Sequence, residues 1–358
     1  MTRDLRDLRL RDYRPEPRLV APAHPVERAR FPAVDAHNHL GRWVSEWVGR
    51  PGDWTVPDVD ELLALMEACN LSAIVNLDGR WGSELEANLD RYDRAHPGRF
   101  ATCCHVNWAA AVASDDVGRA AAASLRASVG AGAKGIKVWK DLGLHVRDDR
   151  RELILPDDER LAPLWEAAAE LRVPVFIHTA DPVAFFDPVD ERNERLEQLL
   201  EHPEWSFADP SFPRFERLME ALEGLVASNP VTTFVGVHFG GYAEDPAFVG
   251  RMLDTYANYH VDVAARVAEL GRQPRAVREV IVSHADRVLF GIDEFPPAAE
   301  EYAIYFRFLE TADEHFAHST EDIPLMGRWA IGGLDLPDDV LRLLEGDNAR
   351  RIVPGLDR

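Results

Sequence analysis

An α/β chain closed into a (β/α)8 barrel, the TIM-barrel class, is what this sequence predicts. Eight short apolar, β-branched runs recur along it, separated by stretches of helical periodicity, which is the alternation of βα units around a parallel sheet. With 358 residues, 46% of them apolar and 28% charged, the chain is globular in composition and long enough to fill one barrel. A core of that size needs no disulfide or metal to hold it together.

The runs expected as strands are 33–39, 72–77, 100–106, 135–139, 174–179, 233–238, 259–263 and 288–293. Helices are expected near 58–69, 84–95, 118–129, 158–171, 215–228, 248–256 and 275–285, with an Ala-rich helical stretch at 109–123. Residues 1–30 alternate Arg with Asp and Leu and predict an irregular arm without the apolar centre of a signal peptide. The barrel itself is expected over 31–358. Three segments are too long for plain connections: 41–57, 180–230 and 294–333. All three leave the C-terminal ends of strands, where a barrel builds its active site.

Asp plus Glu number 62 against 40 for Lys plus Arg, giving a formal charge of −22. That balance argues against duplex nucleic acid or an anionic membrane as the main partner, because both would be repelled. No apolar run reaches about 18 residues, so no membrane span is expected. Cys69, Cys103 and Cys104 match no metal-ligand spacing and read as reduced thiols of a cytoplasmic protein. The cations are unevenly chosen: 37 are Arg, and the only lysines are Lys134, Lys137 and Lys140.

The most informative string is Val34-Asp35-Ala36-His37-Asn38-His39. Histidines at i and i+2 on a strand share a side and can bind one ion. Alone, the pair is equally an ordinary polar strand end. His178 and His238 each close a wholly apolar run, where a single imidazole is more often a satisfied core group. Asp293 closes the last run, and by itself would read as a helix N-cap. Together these residues converge on one end of one barrel, and a buried acid there must be paired or bound to metal.

That order of His-x-His on the first strand, His on the fifth, His on the sixth and Asp on the eighth resembles the amidohydrolase superfamily. It is most similar to the amidohydrolase-related branch that includes aminocarboxymuconate semialdehyde decarboxylase. The likeness extends to Gly346-Asp347-Asn348-Ala349-Arg350 near the end of the chain, which resembles the Gly-Asn-Ala-Arg segment that often ends these barrels. The resemblance implies that His37, His39, His178 and Asp293 bind a divalent metal and that His238 faces the substrate beside it. Zn²⁺ suits three neutral imidazoles and one carboxylate, and Mn²⁺ is the alternative. Gly291-Ile292-Asp293-Glu294 departs from many relatives, which place a small hydroxyl or Gly before the acid.

Lys137 lies within the fourth strand, where binuclear relatives carry a carbamylated Lys bridging two ions. The favoured reading is that it binds a substrate carboxylate or carbonyl beside a single ion, and otherwise it pairs with an acid inside the barrel. Arg could neither tune its pKa nor form a carbamate. Trp139 shares the face of Lys137 and is expected to wall the pocket with Trp43. Trp47, Phe185 and Phe186 belong to lid-like loops, and His105 ends the third strand.

The leading expectation is a metal-dependent hydrolase acting on an amide, ester or lactone of a small carboxylated or cyclic substrate. Asp293 would take the proton of a metal-activated water and His238 would steady the oxyanion. The alternative is a non-oxidative decarboxylase, a lyase acting on an aromatic or unsaturated carboxylic acid. A cation near the metal and an aromatic wall would favour decarboxylation; a neutral pocket would favour hydrolysis. A barrel that binds metal or ligand without turnover is the third reading. A small molecule is the expected partner, and similar proteins suggest a homodimer.

Overall fold

Parallel pairing brings nine short strands into two consecutive ladders in a computed structural model that describes residues 5–356. The strands are β1 (Ala33–Asn38), β2 (Leu71–Asn76), β3 (Phe100–Thr102), β4 (Cys104–His105), β5 (Ile136–Val138), β6 (Val175–Ile177), β7 (Phe234–Gly236), β8 (Tyr259–Asp262) and β9 (Val288–Leu289). The first ladder runs β1-β2-β3 and the second β4 through β9.

The division falls at Cys103, inside the run expected as a single third strand. Gly79 packs against the strand at this point: a Cβ there would stand 2.4 Å from the Cys103 carbonyl, which accepts the Gly79 N–H at 3.1 Å. Hydrogen bonding nonetheless continues on both sides. Cys103 N–H donates to Asn76 O and Cys104 N–H to Gly135 O, each at 2.9 Å. At the far seam, Ala36 N–H donates to Phe290 O and Asp293 N–H to His37 O, also at 2.9 Å. The last strand thereby meets the first, and the sheet is a closed (β/α)8 barrel with β3 and β4 acting as one stave.

The expected helices form where capping residues permit. Asp58 accepts the Asp60 and Glu61 N–H groups to start Val59–Cys69, and Asn70 at φ +60° ends it. Asp116 caps Val117–Ala131, and Asp245 with Pro246 opens Pro246–Thr255. The Ala-rich stretch is two helices, because Asn107 caps Trp108–Val112 separately. Within the segment expected as a third long loop lies a full helix, Ala299–Glu310, which buries Tyr302, Tyr305, Phe306 and Phe308. It covers the seam between the last and first strands, where the Tyr302 hydroxyl donates to Asp35 at 2.7 Å.

Val34, Ala36, Ala73, Val75, Phe176, Val235 and Leu289 fill the barrel interior, closed off by Ala349, Val353 and Leu356 of the C-terminal segment. A larger apolar layer packs between strands and helices. Phe185, Phe207, Phe215 and Met219 form a separate small core under the 180–230 insertion. Each fully buried side chain of this kind stabilises by roughly 1.5–3 kcal/mol relative to exposure. The arm at 5–23 is exposed, and His24 moors it through Asp313, whose carboxylate accepts the His24 N–H at 2.7 Å. Among the described residues no helix is long and apolar enough to cross a membrane.

Candidate active site

Strand β1 carries a bulge that aims its histidines. Ala36 faces the barrel interior, and so does its neighbour His37, which strict alternation forbids; the pairing with β2 shifts register between Asp35 and Asn38. The extra residue is held by Asp35. Its carboxylate accepts the His37 N–H at 3.1 Å, Asn38 Nδ2 at 2.9 Å and Ile292 N–H at 3.3 Å, in addition to Tyr302. Burial still pushes the Asp35 carboxyl up to about 6. Gly291 lets the last strand approach this bulge, since a Cβ there would stand 2.9 Å from the Cβ of His37.

His37, His39 and Asp293 meet at the C-terminal mouth. Asp293 Oδ1 lies 3.1 Å from His39 Nε2 and 3.6 Å from His37 Nε2, and Oδ2 lies 3.7 Å from His238 Nε2. These three residues offer donor atoms all within 4.8 Å of one another. Asp293 Oδ1 makes no hydrogen bond despite its neighbours. Lone pairs converging on a common point without hydrogen-bond alignment are what a shared cation requires, so the donor set fits a divalent metal.

The tautomers agree with that fit. His37 Nδ1–H donates to Asp262 Oδ2 at 2.8 Å, which leaves Nε2 as the bare nitrogen facing Asp293. His238 Nδ1–H donates to Ala264 O at 3.0 Å and likewise turns Nε2 inward. Burial holds His39 down to about 4 and His238 well below the ordinary imidazole range, so both are neutral. The Asp293 carboxyl sits below the usual carboxylate range because the neighbouring imidazoles and Lys137 outweigh its burial.

His178 stands one ring farther out. It packs edge-on to His238 at 4.4 Å between ring centroids, and its Nε2 lies 3.3 Å from Asp181, which is itself paired with Lys140. Neither of its ring nitrogens makes a hydrogen bond. The structure therefore groups His37, His39 and Asp293 tightly, sets His238 against them, and places the fourth expected ligand beside His238 rather than within the triad.

Lys137 points into the barrel at 1% exposure, with Nζ 3.2 Å from His37 Nε2. Burial lowers it to about 8. Trp139 is stacked obliquely on His39 at 4.9 Å, and Trp43 meets Trp139 edge-on at 4.7 Å. Trp47 and Phe295 extend this wall, Phe295 lying 5.2 Å from His39. Phe185 and Phe186 belong instead to the core of the insertion. His105 is spent structurally: Nε2–H donates to Leu77 O at 2.7 Å, and its ring packs against Trp43.

Two contributors have no counterpart in the sequence reading. Asp262 binds His37, and its Oδ1 accepts the His238 N–H at 2.8 Å. The second is backbone strain. Arg80, Ala180, His238, Phe239, Ala265 and Asp293 all have positive φ, and all lie just beyond strand ends at this mouth. Non-glycine residues in that region cost about 1–2 kcal/mol each, and such strain gathers at functional sites.

A closed barrel whose strand ends converge imidazoles and a carboxylate on one point defines a metal-dependent enzyme of the amidohydrolase type. A family model described as Amidohydrolase matches residues 34–355, and the chain belongs to that family, whose members are metal-dependent enzymes. Solved structures share the fold. A 2,6-dihydroxybenzoate decarboxylase from Rhizobium has TM-score 0.57 and 17% identity over 90% of this chain and 98% of its own. A dihydroxybenzoic acid decarboxylase from Polaromonas sp. JS666, with bound manganese and the inhibitor 2-nitroresorcinol, has TM-score 0.56 and 14% identity over 90% and 96%. A putative amidohydrolase from Staphylococcus aureus has TM-score 0.53 and 14% identity over 90% and 99%. No curated protein matches the sequence.

Proposed function

We propose that this protein is a metal-dependent, non-oxidative decarboxylase of a small aromatic or unsaturated carboxylic acid. The observation that carries the reading is the pairing of a buried cation with an aromatic wall: Lys137 Nζ stands 3.2 Å from His37 Nε2 while Trp139, Trp43 and Phe295 flank His39. An unmodified, sequestered cation there suits a carboxylate substrate, whereas a binuclear hydrolase would need Lys137 carbamylated. The shared fold of the two dihydroxybenzoate decarboxylases is in keeping with this choice.

His37, His39 and Asp293 would hold one ion, with His238 set against them and His178 beside His238. When bound, the ion supplies Lewis acidity toward the substrate's oxygens, and Zn²⁺ or Mn²⁺ suits the donors. Trp139 and Trp43 would sandwich the planar substrate, and Lys137 would balance its negative charge. Asp293 and His238, 3.7 Å apart, would relay a proton taken up from solvent to the carbon bearing the carboxylate, since neither carries one at rest. The carbon–carboxylate bond then breaks, its electron pair returns to the ring, and carbon dioxide leaves.

Hydrolysis is the second reading, favoured by Asp293, a suitable base for water whose carboxyl lies below the usual carboxylate range near Lys137. A panel of hydroxybenzoic acids and small lactones separates the two. Carbon dioxide release with ring retention supports decarboxylation; acid release from lactones alone replaces it with hydrolysis.

A further inference from the structure

Arg266 opens the short helix Val267–Leu270, two residues beyond Ala264, whose carbonyl holds His238. Between them Ala265, at φ +53°, donates its N–H to Ile292 O at 3.1 Å, the residue directly before Asp293. The backbone that launches Arg266 is thus tied to both residues placed to move a proton. The side chain is buried at 7% exposure.

An arginine cannot escape burial by losing its proton, so its fork needs an anion or water to meet it. The other deeply buried arginine meets an anion: Arg195 pairs with Glu269. Among the described residues no carboxylate lies within ion-pair distance of Arg266. Its Nη1 donates to Ala265 O at 2.7 Å, but Nε and Nη2 have no acceptor in the protein, and neither is sealed from solvent. That vacant edge is the one this chain uses elsewhere to grip carboxylates. Arg42 holds Glu84 through Nε at 2.9 Å and Nη2 at 2.6 Å, and Arg328 holds Glu197 through the same atoms at 2.8 and 2.5 Å.

We propose that the Nε–Nη2 edge of Arg266 anchors the substrate's carboxylate, making Arg266 the residue that selects acids over their neutral analogues. This rests on the decarboxylase reading only in taking the substrate to be a carboxylic acid. The planar fork supplies two parallel charge-assisted hydrogen bonds that lysine cannot reproduce.

The test is calorimetric binding of salicylate and of phenol to metal-loaded wild type, R266Q and R266K, with metal content and thermal midpoint measured on each. Salicylate should weaken about tenfold to a hundredfold in R266Q and by less in R266K, with phenol unchanged. Equal weakening of both probes, no weakening, or wild type that binds neither would overturn the assignment. If R266Q does not fold, R266K decides through the same difference between the probes. Salicylate binding that depends on Arg266 without carbon dioxide release would sink the decarboxylase reading and leave the anchor standing.

Discussion

Asp262 Oδ2 lies 2.8 Å from His37 Nδ1, with both side chains fully buried. This bond selects the tautomer of His37 and fixes the direction of its Nε2 lone pair. Through its other oxygen Asp262 also sets the backbone of His238. One carboxylate on β8 therefore orients two residues of the site.

Replacing Asp262 by Asn keeps the shape but leaves one acceptor oxygen where two are needed, one for His37 Nδ1–H and one for the His238 and Ala264 N–H groups. Zn²⁺ or Mn²⁺ affinity should fall about 10–100-fold with the fold intact. Metal titration with a fluorescent competitor reads this directly. Wild-type affinity in Asp262→Asn would show that the bulge alone positions His37.

Lys137→Arg keeps the charge but enlarges the side chain at a site only 1% exposed and 3.2 Å from His37 Nε2. Overpacking of this kind costs typically 1–3 kcal/mol, and the guanidinium has no room beside the ligand nitrogen. Activity should drop at least about a hundredfold while Lys137→Met, which lacks the charge but fits, restores stability without activity. Unchanged kinetics in Lys137→Arg would reduce the lysine cluster to an accident of composition.

Much of the barrel was legible because its strands are short, apolar and punctuated by caps such as Asp58 and Asp245. His37, His39 and Asp293 were legible because polar groups closing apolar runs are conspicuous. Asp262 carries the same signal, an acid closing Tyr259-His260-Val261, and was missed because one acid already completed the ligand set. The helix Ala299–Glu310 was hidden by Pro296 and Pro297 before it, although Tyr302, Tyr305, Phe306 and Leu309 repeat at helical spacing. Arg266 was illegible for a different reason. Its meaning lies in the absence of a partner, and partners are set by tertiary packing rather than by neighbours in sequence.

Gly291 has a role that a sequence pattern does not reveal. A methyl group there would meet His37 Cβ at 2.9 Å and His37 N at 3.0 Å, both on the bulge that aims the histidines. Gly291→Ala should therefore lose about 1–3 kcal/mol of stability and, more tellingly, bind metal less tightly. Denaturant melts alongside metal titration separate the two effects. A destabilised variant with wild-type metal affinity would place the strain elsewhere than at His37.

Glu345 supplies a pH prediction away from the site. It is fully buried beside Glu310, accepts the Phe31 N–H at 2.9 Å, and burial pushes its carboxyl up to about 8. The unfolded chain would titrate it near 4.5. The folded state thus binds this proton more tightly. Its contribution to stability is complete below the unfolded value and is lost as pH rises from about 4.5 through about 8. Gln keeps the acceptor for Phe31 and cannot ionise. Glu345→Gln should match wild type near pH 5 and exceed it by on the order of 1–3 kcal/mol above pH 8. Urea midpoints at three pH values measure the gap, and one that stays constant with pH would mean that Arg30, whose backbone and side chain both bind Glu310, already neutralises the pair.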